Sequence, residues 1–388
     1  MSRTTAGTAI LAGFLLGVPV LTQCNAQEPR TGPAQRSPTP QPIAAPLRVD
    51  TVARGLERPW ALAFLPDGRI LVTERPGRLR IVERNGTLSA PLAGVPAVAA
   101  RGQGGLLDVA IDPRFAENRL VYISYSEPAN DGTAGTAVAR GRLGNGRLDD
   151  VQVIYRQTPK VRSNMHFGSR LVFDREGRLF VTQGDRQNQR PRVQDLSSTI
   201  GKVVRINADG STPRDNPFVG REGARPEIWS YGHRNVQAAA LHPETGQLWT
   251  VEHGARGGDE LNHPEAGKNY GWPVITYGVD YSGARIGEGT AREGMEQPLY
   301  YWDPVIAPSG MTFYTGDAFP DWRGSAFVGS LNPGALVRLT IDNDRVTREE
   351  RYLGDVGRVR DVQQGPDGAL YVITDAANGR LLRISPRR

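Results

Sequence analysis

The chain has 388 residues, 38% hydrophobic and 23% charged, which fits a globular, water-soluble body. Its net charge of +6 is spread through a sequence in which Arg alternates with Asp and Glu, so the basic stripe that marks a nucleic-acid binder is missing and that class of partner is excluded. A single cysteine, Cys24, rules out any internal disulfide, and 46 glycines with 29 prolines favour many short strands joined by turns over long helices.

The opening "MSRTTAGTAILAGFLLGVPVLTQCNAQ" has a basic Arg3, an apolar run over about 9–21, then small and polar residues. That is the pattern of a secretory signal, and the run is too short to span a bilayer in the mature protein. Two readings of its end stay open. Cleavage after Ala26 gives a soluble exported protein, periplasmic in location. Lipidation of Cys24 gives one anchored at the cell surface, against which stands Gln23, where a lipoprotein signal usually has a small residue. Residues 1–26 are thus read as the signal and 27–46, Pro-rich and polar, as an extended tether.

From 47 to 388 one grammar recurs: an alternating apolar run, a turn with Asp, Pro or Gly, then a second apolar run. It is seen in "WALAFLPDGRILVTER" (60–75), "GLLDVAIDPRFAENRLVYISYS" (105–126) and "GSRLVFDREGRLFVTQGD" (168–185). It returns in "VQAAALHPETGQLWTVEHG" (236–254), "SGMTFYTGDAFPDWRGSAFVGSL" (309–331) and "VRDVQQGPDGALYVITD" (359–375). Alternation with period two buries one strand face, and the turn reverses the chain. Unit lengths near 45 residues, stretched where loops are inserted, predict an all-β, six-bladed β-propeller rather than a sandwich of hairpins. In a propeller the inter-blade loops converge over the central channel, so residues distant in sequence meet there.

Several loops carry candidate chemistry. His166 stands at the entrance of the third unit and Asp185 at its exit; an imidazole titrates near neutrality and a carboxylate fixes its tautomer. "YGHRNVQ" places Arg234 and Asn235 before the fourth unit, offering a planar fork and a donor–acceptor amide. The insertion "VEHGARGGDELNHPEAGKNYGWP" mixes carboxylates with glycine carbonyls, an oxygen-rich set that suits Ca²⁺ and equally describes a solvated acidic turn. Arg358 and Arg360 in "VGRVRDV" are alternate residues of a strand, so both can reach one anion.

The ordered set "GQGGLLDVAIDPRF", "HFGSRLVFD", "TQGDR", "SSTIGKVVRIN", "YGHRNVQ", "HGARGGDELN", "NYGWP" and "VGRVRDV" resembles the soluble quinoprotein aldose sugar dehydrogenases, over about residues 47–388. The resemblance implies a six-bladed propeller that uses pyrroloquinoline quinone and Ca²⁺ to oxidise the anomeric hydroxyl of an aldose to a lactone, passing electrons to an external acceptor. It implies His166 as the general base and Asp185 as its orienting acid. Gln103, Arg234, Asn235, Tyr281, Arg358 and Arg360 match positions around the quinone. The carbonyls of Gly254 and Ala255 match those that hold the cofactor-bound calcium. The Glu260 carboxylate and the Tyr270 backbone match a second calcium site. His233, His242, His253 and His263 have no role in that pattern and are read as structural. At Asn332 the family commonly has a lysine facing the cofactor, so one ion pair to a tricarboxylate is lost unless an arginine substitutes. Two alternatives remain: a calcium-dependent propeller hydrolase such as a lactonase, which would need carboxylates converging on a channel metal and no use for Arg358 and Arg360, and a non-catalytic glycan- or protein-binding propeller.

Overall fold

A computed structural model describes residues 1–2, 34–38 and 47–387. The expected export signal, Cys24 and most of the tether lie outside the described residues. Each of the six predicted units opens a small antiparallel sheet. The first strands are Pro59–Phe64, Leu106–Ile111, Leu171–Phe173, Val236–Leu241, Pro308–Phe313 and Val359–Gln364. Each is followed by its hairpin partner: Ile70–Glu74, Leu120–Pro128, Arg178–Thr182, Leu248–Glu252, Ala326–Ser330 and Leu370–Thr374. The six sheets stand in a ring as a six-bladed β-propeller, with those first strands innermost. Among the described residues no helix is long and apolar enough to cross a membrane.

The turn chemistry does what the sequence predicts. In the first unit Leu65 N–H donates to the Arg69 carbonyl at 2.8 Å, and in the last Gly365 N–H donates to Ala369 at the same distance. The second strands, such as Ile70–Glu74 and Leu248–Glu252, are buried along their whole length because blades flank them on both faces. This is why they read as continuous apolar runs. The core is therefore a set of inter-blade layers. Trp60, Leu71, Leu107, Val109 and Ile123 pack between the first two blades; Trp249, Trp302, Met311 and Val328 pack between the fourth and fifth. Each fully buried Leu, Ile or Val in such a layer is worth about 1.5–3 kcal/mol.

Two features fall outside the predicted repeat. Leu47–Leu56 pairs antiparallel with Gly379–Pro386 as the outer strand of the sixth blade, so the first part of the propeller chain closes the ring on the last. Gln35–Arg36, from the tether, adds in parallel to Tyr300–Trp302 at the edge of the fourth blade, where Arg36 pairs with Asp303 at 3.2 Å.

The start of an inner strand is where the ring makes its site. Register shifts occur between Pro59 and Ala61, Val236 and Ala238, and Val359 and Asp361, each leaving one residue out of the ladder. A bulge re-aims a side chain, and the residues concerned, Trp60, Gln237 and Arg360, all line one channel cavity. Beneath it Arg170 closes the channel, pairing with Asp108 (3.0 Å) and Asp361 (3.2 Å) and lying 4.2 Å over the Trp60 ring. Its Nε donates to the Gln237 carbonyl at 2.8 Å.

Candidate active site

His166 and Asp185 meet. His166 Nδ1 lies 2.6 Å from Asp185 Oδ1, and both side chains are buried. The pair is built by backbone placement. His166 takes a left-handed φ of 50°, costly for a residue with a Cβ and common where surrounding structure enforces function. Gly184, just before Asp185, allows the approach: a Cβ there would come within 2.2 Å of the His166 carbonyl. Gln103 Oε1 accepts the His166 N–H at 2.8 Å, tying in the loop before the second blade.

Asp185 is held by further ties. Its Oδ1 accepts the Gln187 N–H at 2.7 Å, its Oδ2 accepts Trp272 Nε1–H at 2.8 Å, and its own N–H donates to the Arg234 carbonyl at 2.7 Å. Burial works to raise Asp185, but the His166 bond and the charges of His166 and Arg234 together outweigh it and hold the carboxyl below its ordinary range. Burial also depresses His166 below its ordinary 6.5, against the neighbouring carboxylate, which works to raise it. The result is a neutral imidazole at neutral pH whose Nδ1–H points at an ionised carboxylate, leaving Nε2 as the atom that can take a proton.

Arg234 and Asn235 sit beside this pair. Asn235 Oδ1 accepts the Gly168 N–H at 3.1 Å. The Arg234 Nη1 donates to the Gly254 and His253 carbonyls, and Nη2 reaches the Tyr281 hydroxyl at 3.5 Å. Tyr281 is exposed, at the rim.

A second half of the site adjoins this one in a cavity of about 430 Å³. Gln103, Arg358 and Arg360, which the family resemblance groups in one site, all line it, and so do Arg58, Trp60, Arg75, Gln237, His253 and Asp375, which sequence reasoning missed. Arg358 and Arg360 do converge on one anion: Asp375 Oδ2 accepts from both, at 2.9 and 2.8 Å. Burial works to raise Asp375, yet Arg360 and Arg358 outweigh it and hold the carboxyl down at about 2. Asn332 is exposed, and its neighbour Leu331 is the lining residue. His253 is pushed down to about 3 by burial and by the charge of Arg234, so it is neutral and its Nε2–H donates to the Pro308 carbonyl at 2.7 Å.

The insertion after the fourth hairpin separates the two adjacent carboxylates. Asp259 is a brace: Oδ1 accepts the Gly254 N–H and Oδ2 accepts the Ile306 and Ala307 N–H groups, all at 2.8 Å. Glu260 faces Glu252 instead. Asn262 Nδ2 bridges them, at 3.1 Å to Glu252 and 3.3 Å to Glu260. Burial, then repulsion from Glu252, raises Glu260 well above the ordinary range. Both carboxylates line a cavity of about 10 Å³, room for one water-sized occupant, together with Gly254, Tyr270 and Trp272. A cation suits this donor set, because it relieves the repulsion that Asn262 only bridges. Ala255 is buried in the same loop against Val193, Ile200 and Trp272. His233, read as structural, backs Glu252 with Nδ1 at 2.9 Å and stacks on Tyr270 at 4.8 Å.

The chain as a whole is similar to known proteins. The profile of the family described as Glucose / Sorbosone dehydrogenase matches residues 56–383. The aldose sugar dehydrogenase YliI of Escherichia coli (strain K12) is 50% identical over 349 residues, 88% of this chain and 94% of that protein. The quinoprotein glucose dehydrogenase B of Acinetobacter calcoaceticus is 28% identical over 409 residues, covering 84% of this chain and 85% of that protein. The PQQ-bound structure of the aldose sugar dehydrogenase of Streptomyces coelicolor superposes with a TM-score of 0.72 at 27% identity, over 89% of this chain and all of that one. With its six blades, its buried His–Asp pair and a profile match over nearly the whole ring, the chain belongs to the glucose/sorbosone dehydrogenase family.

Proposed function

We propose that the chain is an exported quinoprotein that oxidises the anomeric hydroxyl of aldose sugars to the lactone, using pyrroloquinoline quinone and Ca²⁺ and yielding its electrons to an external acceptor. The carrying observation is the His166–Asp185 pair standing beside an arginine-walled cavity, with Gln103 shared between them: it bonds His166 and lines the cavity. The quinone, when bound, supplies the hydride-accepting centre.

The protein's own residues do the rest. His166 Nε2 takes the hydroxyl proton as hydride leaves the same carbon, and Asp185 stabilises the imidazolium so formed. Trp272 holds the second Asp185 oxygen, so the carboxylate cannot rotate away from the ring. Arg358, Arg360 and Gln237 would hold the acidic cofactor, and Arg234 would face its oxygen atoms. Ca²⁺ suits two places: the Gly254 and Ala255 carbonyls, the former having a lone pair beyond the one given to Arg234, and the Glu252–Glu260 cavity with Tyr270. The hydrolase alternative is disfavoured by the channel carboxylates: Asp108 and Asp361 are both engaged by Arg170, and Arg358 and Arg360 line the cavity.

The test is reconstitution of apo-protein with pyrroloquinoline quinone and Ca²⁺, followed by dye reduction with a panel of aldoses, for wild type and His166→Ala. Sugar-dependent reduction in wild type and a loss of about 10²–10⁴-fold in turnover per bound cofactor in the variant are expected. Near-normal turnover in His166→Ala would remove the assignment of the base.

A further inference from the structure

The cavity holds more positive charge than its known partners use. Four guanidiniums, those of Arg58, Arg75, Arg358 and Arg360, line it against the single carboxylate of Asp375. Four minus one leaves three positive charges facing one cavity. Asp375 is already engaged by Arg358 and Arg360, while among the described residues Arg58 and Arg75 form no ion pair. Two donors there are also unspent: the Nε atoms of Arg75 and Arg360 are buried with no hydrogen-bond partner among the described residues. Arg360 is only 6% exposed, so its Nε cannot be satisfied by bulk water.

The geometry makes a cradle of these groups. Arg58 immediately precedes the inner strand Pro59–Phe64, and Arg75 immediately follows its hairpin partner Ile70–Glu74; Arg75 N–H donates to the Arg58 carbonyl at 3.1 Å. Arg358 and Arg360 lie at the start of Val359–Gln364, the inner strand of the neighbouring sixth blade. Arg75 is braced by Nη1 to the Gly102 carbonyl at 2.9 Å. Burial, and the like charges of Arg58 and Arg358, depress its proton affinity, with Asp375 opposing; negative charge in the cavity would relieve that repulsion.

We propose that Arg58 and Arg75 are anion-binding residues, forming with Arg358 and Arg360 a four-arginine cradle for a small, planar polycarboxylate. Resting on the quinone reading above, the ligand is pyrroloquinoline quinone, whose three carboxylates match the three uncompensated charges. The first blade thus carries the charge that Asn332, exposed on the fifth blade, does not bring.

The experiment is a titration of full-length apo-protein with pyrroloquinoline quinone by equilibrium dialysis, at low and high salt, with a melting curve for each variant. Arg58→Gln and Arg75→Gln should each weaken binding roughly ten- to hundredfold and flatten its salt dependence. Arg58→Lys should stay close to wild type, and Arg84→Gln, a control on the same blade, should equal it. If Arg75→Gln does not fold because the Gly102 carbonyl loses its donor, Arg58→Gln and the charge reversal Arg58→Glu decide alone. Wild-type affinity in Arg58→Gln and Arg75→Gln, with Arg360→Gln weakened, would overturn the cradle and leave the quinone reading standing. A wild-type protein that takes up no quinone would overturn both.

Discussion

Asp185→Asn tests the charge of the site with little change of shape. The carboxylate receives donors on both oxygens: His166 Nδ1 and the Gln187 N–H on Oδ1, and Trp272 Nε1–H on Oδ2. An asparagine keeps two of those three donors satisfied when its carbonyl takes the Oδ1 position. Its NH₂ then faces Trp272 Nε1–H, two donors where the wild type has a 2.8 Å bond. Burying that clash costs about 1–3 kcal/mol of stability. The tautomer of His166 survives in this orientation, so the loss of turnover comes from the missing negative charge opposite the imidazolium. A charged hydrogen bond of this kind is worth about 1.5–3 kcal/mol, or roughly 10–150-fold in rate, between wild type and His166→Ala. Trp272→Phe separates the two effects. Added to Asp185→Asn, it removes the opposing donor and should recover melting temperature but not turnover. The assay is turnover per bound cofactor beside a melting curve for the two single variants and the double. Recovery of turnover in the double variant, or near-normal turnover in Asp185→Asn, would refute the charge argument.

Two further outcomes follow from the titrating groups. His166 is depressed below 6.5, so the acid limb of kcat/KM should have its midpoint below 6.5, and a midpoint above it would contradict a buried base. His253 gives the matching stability effect: folded it titrates near 3 and unfolded near 6.5, so its contribution is complete above pH 6.5 and is lost as pH falls toward 3. Denaturant midpoints measured over that window should fall more steeply in wild type than in His253→Gln, and equal slopes would count against it. For the cation cavity, Ca²⁺ at a hundred times its Kd should stabilise by about 2.7 kcal/mol, with Zn²⁺ a poor substitute. Glu260→Gln should melt no lower than wild type without metal, since it relieves the repulsion from Glu252, and should lose the Ca²⁺-dependent rise; a retained rise would show that Glu260 is not a ligand.

Much of the fold is legible because its strongest signals are local. Each of the six hairpins carries its alternation and its turn within about twenty residues, and each predicted start falls within three residues of an observed inner strand, the third unit's start at 168 preceding Leu171–Phe173. The closing strand was not legible for the opposite reason. Leu47–Leu56 finds its partner in Gly379–Pro386, at the other end of the chain, and is mostly half-buried or exposed at the outer edge of a blade. Its sequence alone reads as an ordinary strand with no address. The tether residues Gln35–Arg36 pose the same problem: a two-residue addition to a sheet edge is decided by the edge, formed here by Tyr300–Trp302.

The site divides along a similar line. His166 and Asp185 bracket one hairpin, so their meeting follows from a short piece of chain together with the family resemblance. Trp272, which fixes the other carboxylate oxygen, comes from an insertion 87 residues further on, and nothing local marks its indole N–H as aimed there. Arg58 and Arg75 are hidden differently. In a chain with 47 basic residues, of which Lys160, Lys202 and Lys268 are the only lysines, an arginine beside an apolar strand carries no information by type. Its position relative to the bulge carries some. A one-residue slip in a ladder reverses which face a side chain occupies, so Trp60, Gln237 and Arg360 reach the channel only because their strands slip at the first pairs. The expectation that Arg358 and Arg360 share an anion does hold, at Asp375, although a register shift lies between them. The i, i+2 rule was therefore not sufficient for that outcome. Asp375, just beyond Leu370–Thr374, accepts from both guanidiniums at a single oxygen, and so a carboxylate at the exit of the adjoining strand gathers what the alternation by itself did not fix.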